Sequence, residues 1–460
     1  MDGNRTGALW TRRGLLAALS AGAAPLVVVA CGGGGGGVPG TETAPPRPGA
    51  LGGKVQVAYR TDPLTIEMYG GMTDEFRKQH PGAQVEFVDI GGNYDTPLLA
   101  LFAAGTPPDA FWLRLTNFAS YLSKRLLLNI EPYSRRDARA VQLEDFFPGI
   151  LDQGRVRGGL YGLPADGGGP VLFFNVELFD RAGVPTPGVL QDGGKWTVDA
   201  FLDAGKRLTR RSPGSEVWGA QDSLFHNSVW LAWVWAWGGD FLTRDGQQVA
   251  LDQAPAIDAL QWQQDLITRH GMIPTSAELE QLKEREPNDR RSMFRAGRAA
   301  MISDWTTTVG AGRLREAEGQ GLRWDATLLP AGKQGQFSVS FFHELAIAGA
   351  SSAPELAWQW IAFQTGREGT LRRSLAGATQ PHRRSVATSQ EYLRTLPPAF
   401  AKSMARVGER SRPYPLVVED VQLQQILTEE VKLLRVGARA ARDVAASIKQ
   451  RFDPLLNTRL

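Results

Sequence analysis

The feature that most constrains the fold is a regular alternation of strand-like and helix-like segments that begins at Lys54. Residues 55–59 place apolar side chains at every second position, as a strand does, and residues 66–79 carry them at helical spacing. A second strand is predicted over residues 85–88, followed by a helix with Asp95 as its capping residue. Strands that alternate with helices in this way predict an α/β fold with a largely parallel sheet.

The composition is typical of a water-soluble globular protein. At about 150 residues per domain, 460 residues predict two or three domains, and 42% hydrophobic with 22% charged residues argues against disorder and against a multi-span membrane protein. The net charge of +3 is too small to hold nucleic acid, so we expect no nucleic-acid partner. One cysteine and five scattered histidines offer no disulfide and no metal site, and we expect no metal and no cofactor.

The N-terminal residues are predicted to be an export signal followed by a lipid anchor. A charged start with a twin-arginine-like pair precedes a short apolar stretch, so residues 1–30 are predicted to be a cleaved signal peptide. Residues 28–31 resemble a bacterial lipobox, in which Cys31 receives a diacylglycerol. The glycine-rich and proline-rich residues 31–53 are predicted to be a flexible tether. We therefore expect an exported protein, lipid-anchored at the outer face of the cytoplasmic membrane or in the periplasm.

Several motifs, all in one order along the chain, resemble those of a known family. Residues 103–112 read A-A-G-T-P-P-D-A-F-W, and residues 159–164 read G-L-Y-G-L-P. Residues 172–183 and 293–305 follow with L-F-F-N-V-E-L-F-D-R-A-G and M-F-R-A-G-R-A-A-M-I-S-D-W, and residues 357–363 with A-W-Q-W-I-A-F. Together they resemble the extracellular solute-binding proteins of ABC importers, specifically the maltose-binding-like family, over nearly the whole chain that follows the tether.

The resemblance implies a periplasmic-binding-protein-like fold of two α/β lobes, with a hinge and a ligand cleft between the lobes. The chain is expected to cross the hinge three times, so that each lobe is discontinuous in sequence. The N-terminal lobe is expected to comprise residues 54–163 and 330–376, and the C-terminal lobe residues 164–329 and 377–460. The implied crossings contain glycine and proline, which suit short links between patterned segments.

The resemblance also implies a function. We expect the substrate-binding component of an ABC transporter, a monomer that captures a mono- or oligosaccharide and delivers it to a membrane permease without catalysis. Glycerol phosphate or a polyol stays open as the ligand. A carbohydrate-active hydrolase is the alternative from another class, because such enzymes use a pair of carboxyl groups beside the sugar. The sequence has no G-x-S-x-G, H-E-x-x-H or Walker motif that would favour an enzyme.

The candidate ligand-binding residues are aromatic rings and polar groups that the resemblance places at the cleft. Aromatic faces beside carboxylates suit a sugar, whose ring stacks and whose hydroxyls donate hydrogen bonds. Trp305 and Trp112 match positions where the family has cleft aromatics, and Trp237 lies at a predicted helix end where backbone can approach a ligand. The polar candidates are Asp62, Asp166 and Asp222 as acceptors, Arg60 as a donor, and also His343 and Tyr414.

Other tryptophans are predicted to pack in the core. Trp230 and Trp233 share one face of a predicted helix, and Trp358 and Trp360 lie on another. The second of these helices is predicted to begin at Pro354, because proline suits the first helical position.

Overall fold

A computed structural model describes residues 51–60, 63–90, 94–212, 214–221, 229–283, 291–309, 314, 318–319 and 321–456. The predicted signal peptide, the predicted lipidation site Cys31 and most of the predicted tether lie outside the described residues.

The described residues alternate between strands and helices. The strands are β1 (Gly52–Ala58), β2 (Gly82–Val88), β3 (Ala110–Leu113), β4 (Arg155–Val156), β5 (Gly159–Leu160), β6 (Leu163–Gly168), β7 (Pro170–Asn175), β8 (Met301–Trp305), β9 (Trp324–Thr327), β10 (Ser338–Ile347) and β11 (Ser411–Pro413). The helices are α1 (Pro63–Gln79), α2 (Asp95–Ala103), α3 (Leu115–Ser123), α4 (Glu131–Arg136), α5 (Ala138–Val141), α6 (Pro148–Leu151), α7 (Val176–Ala182), α8 (Pro187–Asp192), α9 (Val198–Leu208), α10 (Val229–Trp237), α11 (Ala254–Thr268), α12 (Ser276–Lys283), α13 (Ser292–Arg295), α14 (Pro354–Thr365), α15 (Arg367–Leu375), α16 (Arg384–Ala387), α17 (Gln390–Leu393), α18 (Pro398–Glu409), α19 (Asp420–Arg435) and α20 (Ala441–Phe452). Within the part of the chain that the structure describes, no helix is long and apolar enough to cross a membrane.

The first predicted elements are present with wider bounds, but one local prediction is wrong. β1, α1 and β2 each begin a few residues before the apolar pattern that predicted them. Helix α2 begins at Asp95, yet the Asp95 side chain does not cap it. Its carboxylate instead accepts hydrogen bonds from Arg114 Nε at 2.8 Å and from Asn117 Nδ2 at 3.1 Å. Hydrogen bonds from Arg114, the residue before α3, and from Asn117 in α3 therefore take the place of the helix cap that an aspartate at this position often forms.

The strands form a larger mixed sheet, a smaller three-stranded antiparallel sheet and the antiparallel pair β4-β5. In the larger sheet the order is β11-β10-β3-β1-β2, and β6 also pairs with β10. Strand β1 is parallel to β2 and β3, whereas β10 is antiparallel to β3 and β6. The smaller sheet, β8-β7-β9, is antiparallel in both pairings. The three strands from which the sequence predicted a largely parallel sheet, β1, β2 and β3, are parallel to one another, as predicted. Strand β10 is also parallel to β11, and the antiparallel pairings come from strands later in the chain.

The core confirms the predicted packing of the tryptophans on two helices. Helix α14 begins at Pro354, as predicted, and Trp358 and Trp360 are both fully buried against the larger sheet. Every residue of α10 is buried, and Trp230 and Trp233 lie in the core that surrounds this helix. The large aromatic content of the chain thus serves mainly to fill the interior.

One edge of the larger sheet brings together distant parts of the sequence. Strand β3 ends beside α3, and β6 lies antiparallel on β10, with His343 opposite Asp166. The two strands approach so closely at Gly167, where φ is +147°, that a Cβ would lie 2.3 Å from the carbonyl oxygen of Phe341. Only glycine is accommodated there without strain. The lobe boundaries predicted from the sequence stay a prediction.

Candidate functional site

A cleft of about 340 Å³ lies at the edge where β6 and β10 pair. Its lining residues are Arg114, Thr116, Gly167, Gly168, Trp305, Thr307, Phe341, His343 and Gln424. Arg114 follows β3, Thr116 lies on α3, and the two glycines belong to β6. Trp305 ends β8 and Thr307 follows it, whereas Phe341 and His343 lie on β10 and Gln424 on α19. The volume is within the range of pockets that hold small ligands.

Two aromatic rings form one wall of the cleft. The ring centroids of Trp305 and Phe341 are 5.4 Å apart with planes inclined by 51°, and both side chains are partly exposed. Tyr414 is buried with its ring 5.3 Å from that of Phe341. Behind Trp305, the buried carboxylate of Asp304 accepts a hydrogen bond from the Trp305 backbone N–H at 2.8 Å and forms an ion pair with Arg291. The wall is therefore supported from behind, and its flat faces are available to an apolar surface of a ligand.

His343 presents a fixed hydrogen-bond donor to the cleft. The backbone N–H of Leu115 donates to Nδ1 of His343 at 3.2 Å, so that the ring proton of the neutral form resides on Nε2. Burial, together with the positive charges of Arg114 and Arg60, lowers the pKa of His343 to about 3. The imidazole is therefore uncharged at neutral pH, and Nε2–H is the atom it offers to a ligand.

Two arginines surround the indole of Trp112, which lies directly behind the cleft. The guanidinium carbons of Arg114 and Arg60 are 5.4 Å and 5.5 Å from the Trp112 ring centroid, within the range of a cation–π contact. Trp112 itself is buried, with its ring 4.5 Å from that of His343 and its Nε1–H donating to the carboxylate of Asp166. Trp112 thus holds polar side chains in place and does not offer its own face to the cleft.

Five of the predicted site residues lie at or next to the cleft. Trp305 and His343 line the cleft. Trp112, Asp166 and Arg60 form the layer behind it, through the contacts around the Trp112 ring. Their predicted roles in ligand binding stay predictions.

The remaining predicted residues lie elsewhere. Trp237 is buried in the core, where its ring is 4.7 Å from that of Trp262. The Tyr414 hydroxyl is buried and donates a hydrogen bond to Asp420 at 3.1 Å, and Tyr414 contacts two lining residues, Phe341 and Gln424. Asp62 and Asp222 lie outside the described residues.

Sequence reasoning missed several residues of the lining. Arg114 directly follows β3, at a strand end where α/β folds often place ligand-binding groups, so its position gave a usable signal. Phe341 lies two residues before His343 on β10, and the alternation of a strand places both on the same face. Gln424 and Thr116 come from helices, and no local pattern marks them. Among the described residues, no cluster of histidine, cysteine and carboxylate side chains could hold a metal ion.

A buried carboxyl group lies immediately behind the site. Glu344 is fully buried on the opposite face of β10 from His343, and its Oε1 accepts a hydrogen bond from Gln153 Nε2 at 2.7 Å. The backbone of Gly162 passes so close that a Cβ there would lie 2.8 Å from the Cβ of Glu344. Burial raises the pKa of Glu344 to about 8; the Gln153 hydrogen bond opposes this rise and the Asp166 charge adds to it. Glu344 is therefore largely protonated at neutral pH.

Comparison with known proteins gives one family match and several distant relatives. A family model described as bacterial extracellular solute-binding protein matches residues 62–370. A probable ABC transporter-binding protein of Deinococcus radiodurans is 22% identical over 292 residues, which cover 62% of this chain and 66% of the relative. An arabinooligosaccharide-binding protein of Bacillus subtilis is 22% identical over 229 residues, which cover 48% of this chain and 49% of the relative. The chain thus matches between about half and just under two thirds of the length of these relatives.

Solved structures show the same fold over nearly the whole chain. The sugar-binding protein MalE of Xanthomonas citri superposes with a TM-score of 0.75 at 20% identity, covering 88% of this chain and 97% of that one. An ABC substrate-binding protein of Listeria monocytogenes in complex with cycloalternan gives a TM-score of 0.70 at 21% identity, covering 87% and 98%. These likenesses confirm the predicted α/β fold of two lobes with an intervening cleft.

Proposed function

The chain belongs to the bacterial extracellular solute-binding proteins, and we propose that it captures a carbohydrate and delivers it to the permease of an ABC transporter. The family match covers most of the chain and bears out the resemblance that the sequence motifs indicate. Members of this family act outside the cytoplasm, so the chain is an exported protein. The sugar-binding proteins among its relatives and structural neighbours support a saccharide as the ligand.

The observation that carries the proposal is the aromatic wall beside fixed polar groups. Trp305 and Phe341 offer flat apolar faces, and His343 and Arg114 lie on the same cleft. A pyranose ring has an apolar face that stacks on an aromatic ring and hydroxyls at its edge that form hydrogen bonds, so one sugar unit can use both kinds of group at once. Closure of the two lobes over the ligand would then mark the loaded state for the permease.

A ligand screen tests this proposal directly. Purified protein is heated in the presence of mono- and oligosaccharides, polyols, glycerol phosphates and amino acids, and the unfolding midpoint is recorded. A ligand at 100 times its Kd should stabilise the protein by about 2.7 kcal/mol, a readily measured shift. We expect a saccharide to raise the midpoint and to be recovered unchanged. A shift with glycerol phosphate or a polyol alone would replace the carbohydrate, and release of reducing ends would make the protein a hydrolase.

The Trp305→Ala variant should bind the saccharide found in that screen roughly 30-fold more weakly, because it removes about 2 kcal/mol of stacking and apolar contact. The measurement is isothermal titration calorimetry against the parent protein. Trp305→Phe is the matched control: it keeps an aromatic face on the cleft and should lose only a few-fold in affinity. Equal affinity in the parent and the alanine variant would place the binding site elsewhere.

The lipid anchor is a second part of the proposal, and it rests on the lipobox resemblance at Cys31. In cells grown with labelled palmitate, the parent protein should carry label and sediment with membranes, whereas Cys31→Ala should carry none and be released. Ala30→Gly is the control, since it keeps a small residue before the cysteine and should be labelled like the parent. Membrane association of Cys31→Ala equal to that of the parent would show that the cysteine is not the anchor.

We further propose that the protein acts as a monomer.

A further inference from the structure

We propose that the saccharide bound by this cleft carries a carboxylate, and that Arg114 and His343 hold this group. The inference rests on the proposed binding function and names the ligand class more narrowly. Two polar side chains of the lining are held in a fixed orientation by the protein, and both offer hydrogen-bond donors to the cleft.

Arg114 is oriented by contacts on two sides. Its Nε donates to Asp95 Oδ2 at 2.8 Å, and its guanidinium lies 5.4 Å from the centroid of the buried Trp112 ring. These contacts leave its Nη1 and Nη2 without a hydrogen-bond partner among the described residues, while the side chain is about a third exposed, at 36%, on the cleft. The planar guanidinium end matches the two oxygens of a carboxylate, with which it forms paired, charge-assisted hydrogen bonds.

His343 adds a second donor from the facing strand. Leu115 N–H occupies Nδ1, so Nε2–H is the donor left for a ligand. The ring of His343 and the guanidinium of Arg114 both contact the Trp112 ring, and both side chains line the cleft. A carboxylate only accepts hydrogen bonds, so it can accept from both donors. A hydroxyl also has a hydrogen to donate, which neither of these two donors can accept.

Positively charged groups that can attract an anion lie close to this position. Arg60 brings a second positive charge to the Trp112 ring, and helix α3 begins next to Arg114 with the partial positive charge of its N-terminus. The nearby carboxylates are engaged by the protein: both oxygens of Asp95 accept hydrogen bonds from Arg114 and Asn117. Asp166 accepts the indole N–H of Trp112. The described residues that line the cleft include no Asp or Glu.

The remaining lining fits the rest of a sugar. Gln424 Nε2 donates to the Tyr414 hydroxyl at 2.8 Å, which leaves its Oε1 as an acceptor for a sugar hydroxyl. Thr116 and Thr307 supply hydroxyls that can donate or accept, and Trp305 with Phe341 supplies the stacking surface. The lining thus combines donors for an anion with groups suited to a neutral ring.

The test compares matched acidic and neutral saccharides. Uronic acids and their neutral counterparts, glucuronate with glucose, galacturonate with galactose and mannuronate with mannose, are titrated as mono-, di- and trisaccharides by calorimetry at low and high salt. Galactose 6-sulfate provides the same charge on a tetrahedral group. We expect the acidic member of at least one pair to bind at least tenfold more tightly than its neutral partner and more tightly than the sulfate.

Variants assign this preference to the guanidinium. Arg114→Gln should reduce the acidic preference, which is the ratio of the affinities for the acidic and the neutral sugar, to about one. Arg114→Lys keeps the charge without the planar fork, so it should retain part of the preference even if the glutamine variant folds poorly. Exposed Arg139, which is not part of the lining, gives the control Arg139→Gln, which should behave as the parent.

The outcomes separate this inference from the proposed function. Binding of neutral saccharides as tight as that of uronates would overturn the inference and leave the carbohydrate function standing. Tighter binding of the sulfate than of any uronate would overturn the carboxylate assignment. An acidic preference that survives in Arg114→Gln would overturn the role of Arg114. If no saccharide of either kind binds, the proposed function itself fails.

Discussion

Replacing Glu344 with Gln is expected to remove a pH-dependent destabilisation of on the order of 3 kcal/mol at pH 7. Glu344 is fully buried, its Oε1 accepts from Gln153, and its Oε2 has no hydrogen-bond partner in the described part of the chain. An ionised carboxylate in this position would be costly, because burial removes it from water and the Asp166 charge lies nearby. Glutamine keeps the shape and the Oε1 acceptor but carries no charge at any pH.

The direction of the pH effect follows from where the proton resides. Burial raises the pKa of Glu344 from its ordinary value of 4.5 to about 8 in the folded protein, so between these values the folded state holds a proton that the unfolded chain has released. The free energy of unfolding therefore falls as pH rises from about 4.5 to about 8, and the loss is complete above 8. At about 1.36 kcal/mol per pH unit, the loss at pH 7 is on the order of 3 kcal/mol.

Urea unfolding followed by tryptophan fluorescence at pH 5, 7 and 8.5 measures this effect. Glu344→Gln should unfold at higher urea than the parent at pH 7 and 8.5, and the difference should shrink at pH 5. Asp74→Asn is the matched control, since its side chain is 80% exposed and its substitution should leave the pH dependence of the parent unchanged. A stability difference between variant and parent that does not grow in favour of the variant from pH 5 to pH 8.5 would contradict the raised pKa of Glu344.

Helices and strands that depend mainly on neighbouring residues were predicted well from the sequence. The helix from Pro354 needs only a proline at its start and apolar residues at helical spacing, and both can be read from a few neighbouring residues. The alternation that predicts β1 and α1 is local in the same way. The two-lobe architecture is not local, and it was reached only through a resemblance carried by motifs spread along the chain.

The site was less predictable because its contacts join residues far apart in sequence. The backbone N–H of Leu115 binds His343, and no spacing rule connects positions 228 residues apart. Asp95 has the sequence pattern of a helix cap, but its carboxylate binds Arg114, whose position depends on the packing of β3 against β10. Aromatic type alone does not separate such positions: Trp112 and Trp305 look equivalent in sequence, yet one is buried behind the cleft and the other lines it.

Replacing Asp109 with Asn is expected to destabilise the protein by about 3 kcal/mol. Asp109 is buried just before β3, and its Oδ1 accepts hydrogen bonds from Ser351 Oγ at 2.6 Å and from the backbone N–H of Ser352 and Ala353, at the start of α14. Its Oδ2 accepts from the backbone N–H of Gln56 in β1 at 2.9 Å. An asparagine can present only one oxygen, so its amide N–H groups would face a backbone donor and leave it unsatisfied.

This substitution tests whether the motif at residues 103–112 is structural or contacts the ligand. Asp109 joins β1, β3 and α14, and the first two strands lead directly to Arg60 and Arg114, so its carboxylate supports the cleft without being part of its lining. Asp109→Asn should therefore lower the urea midpoint, while the affinity of the folded protein for its ligand changes only a few-fold. Asp203→Asn, with a side chain that is 70% exposed, should leave both quantities unchanged. An unchanged midpoint together with lost binding in Asp109→Asn would instead assign this aspartate to the ligand, because only a direct contact would weaken binding without weakening the fold.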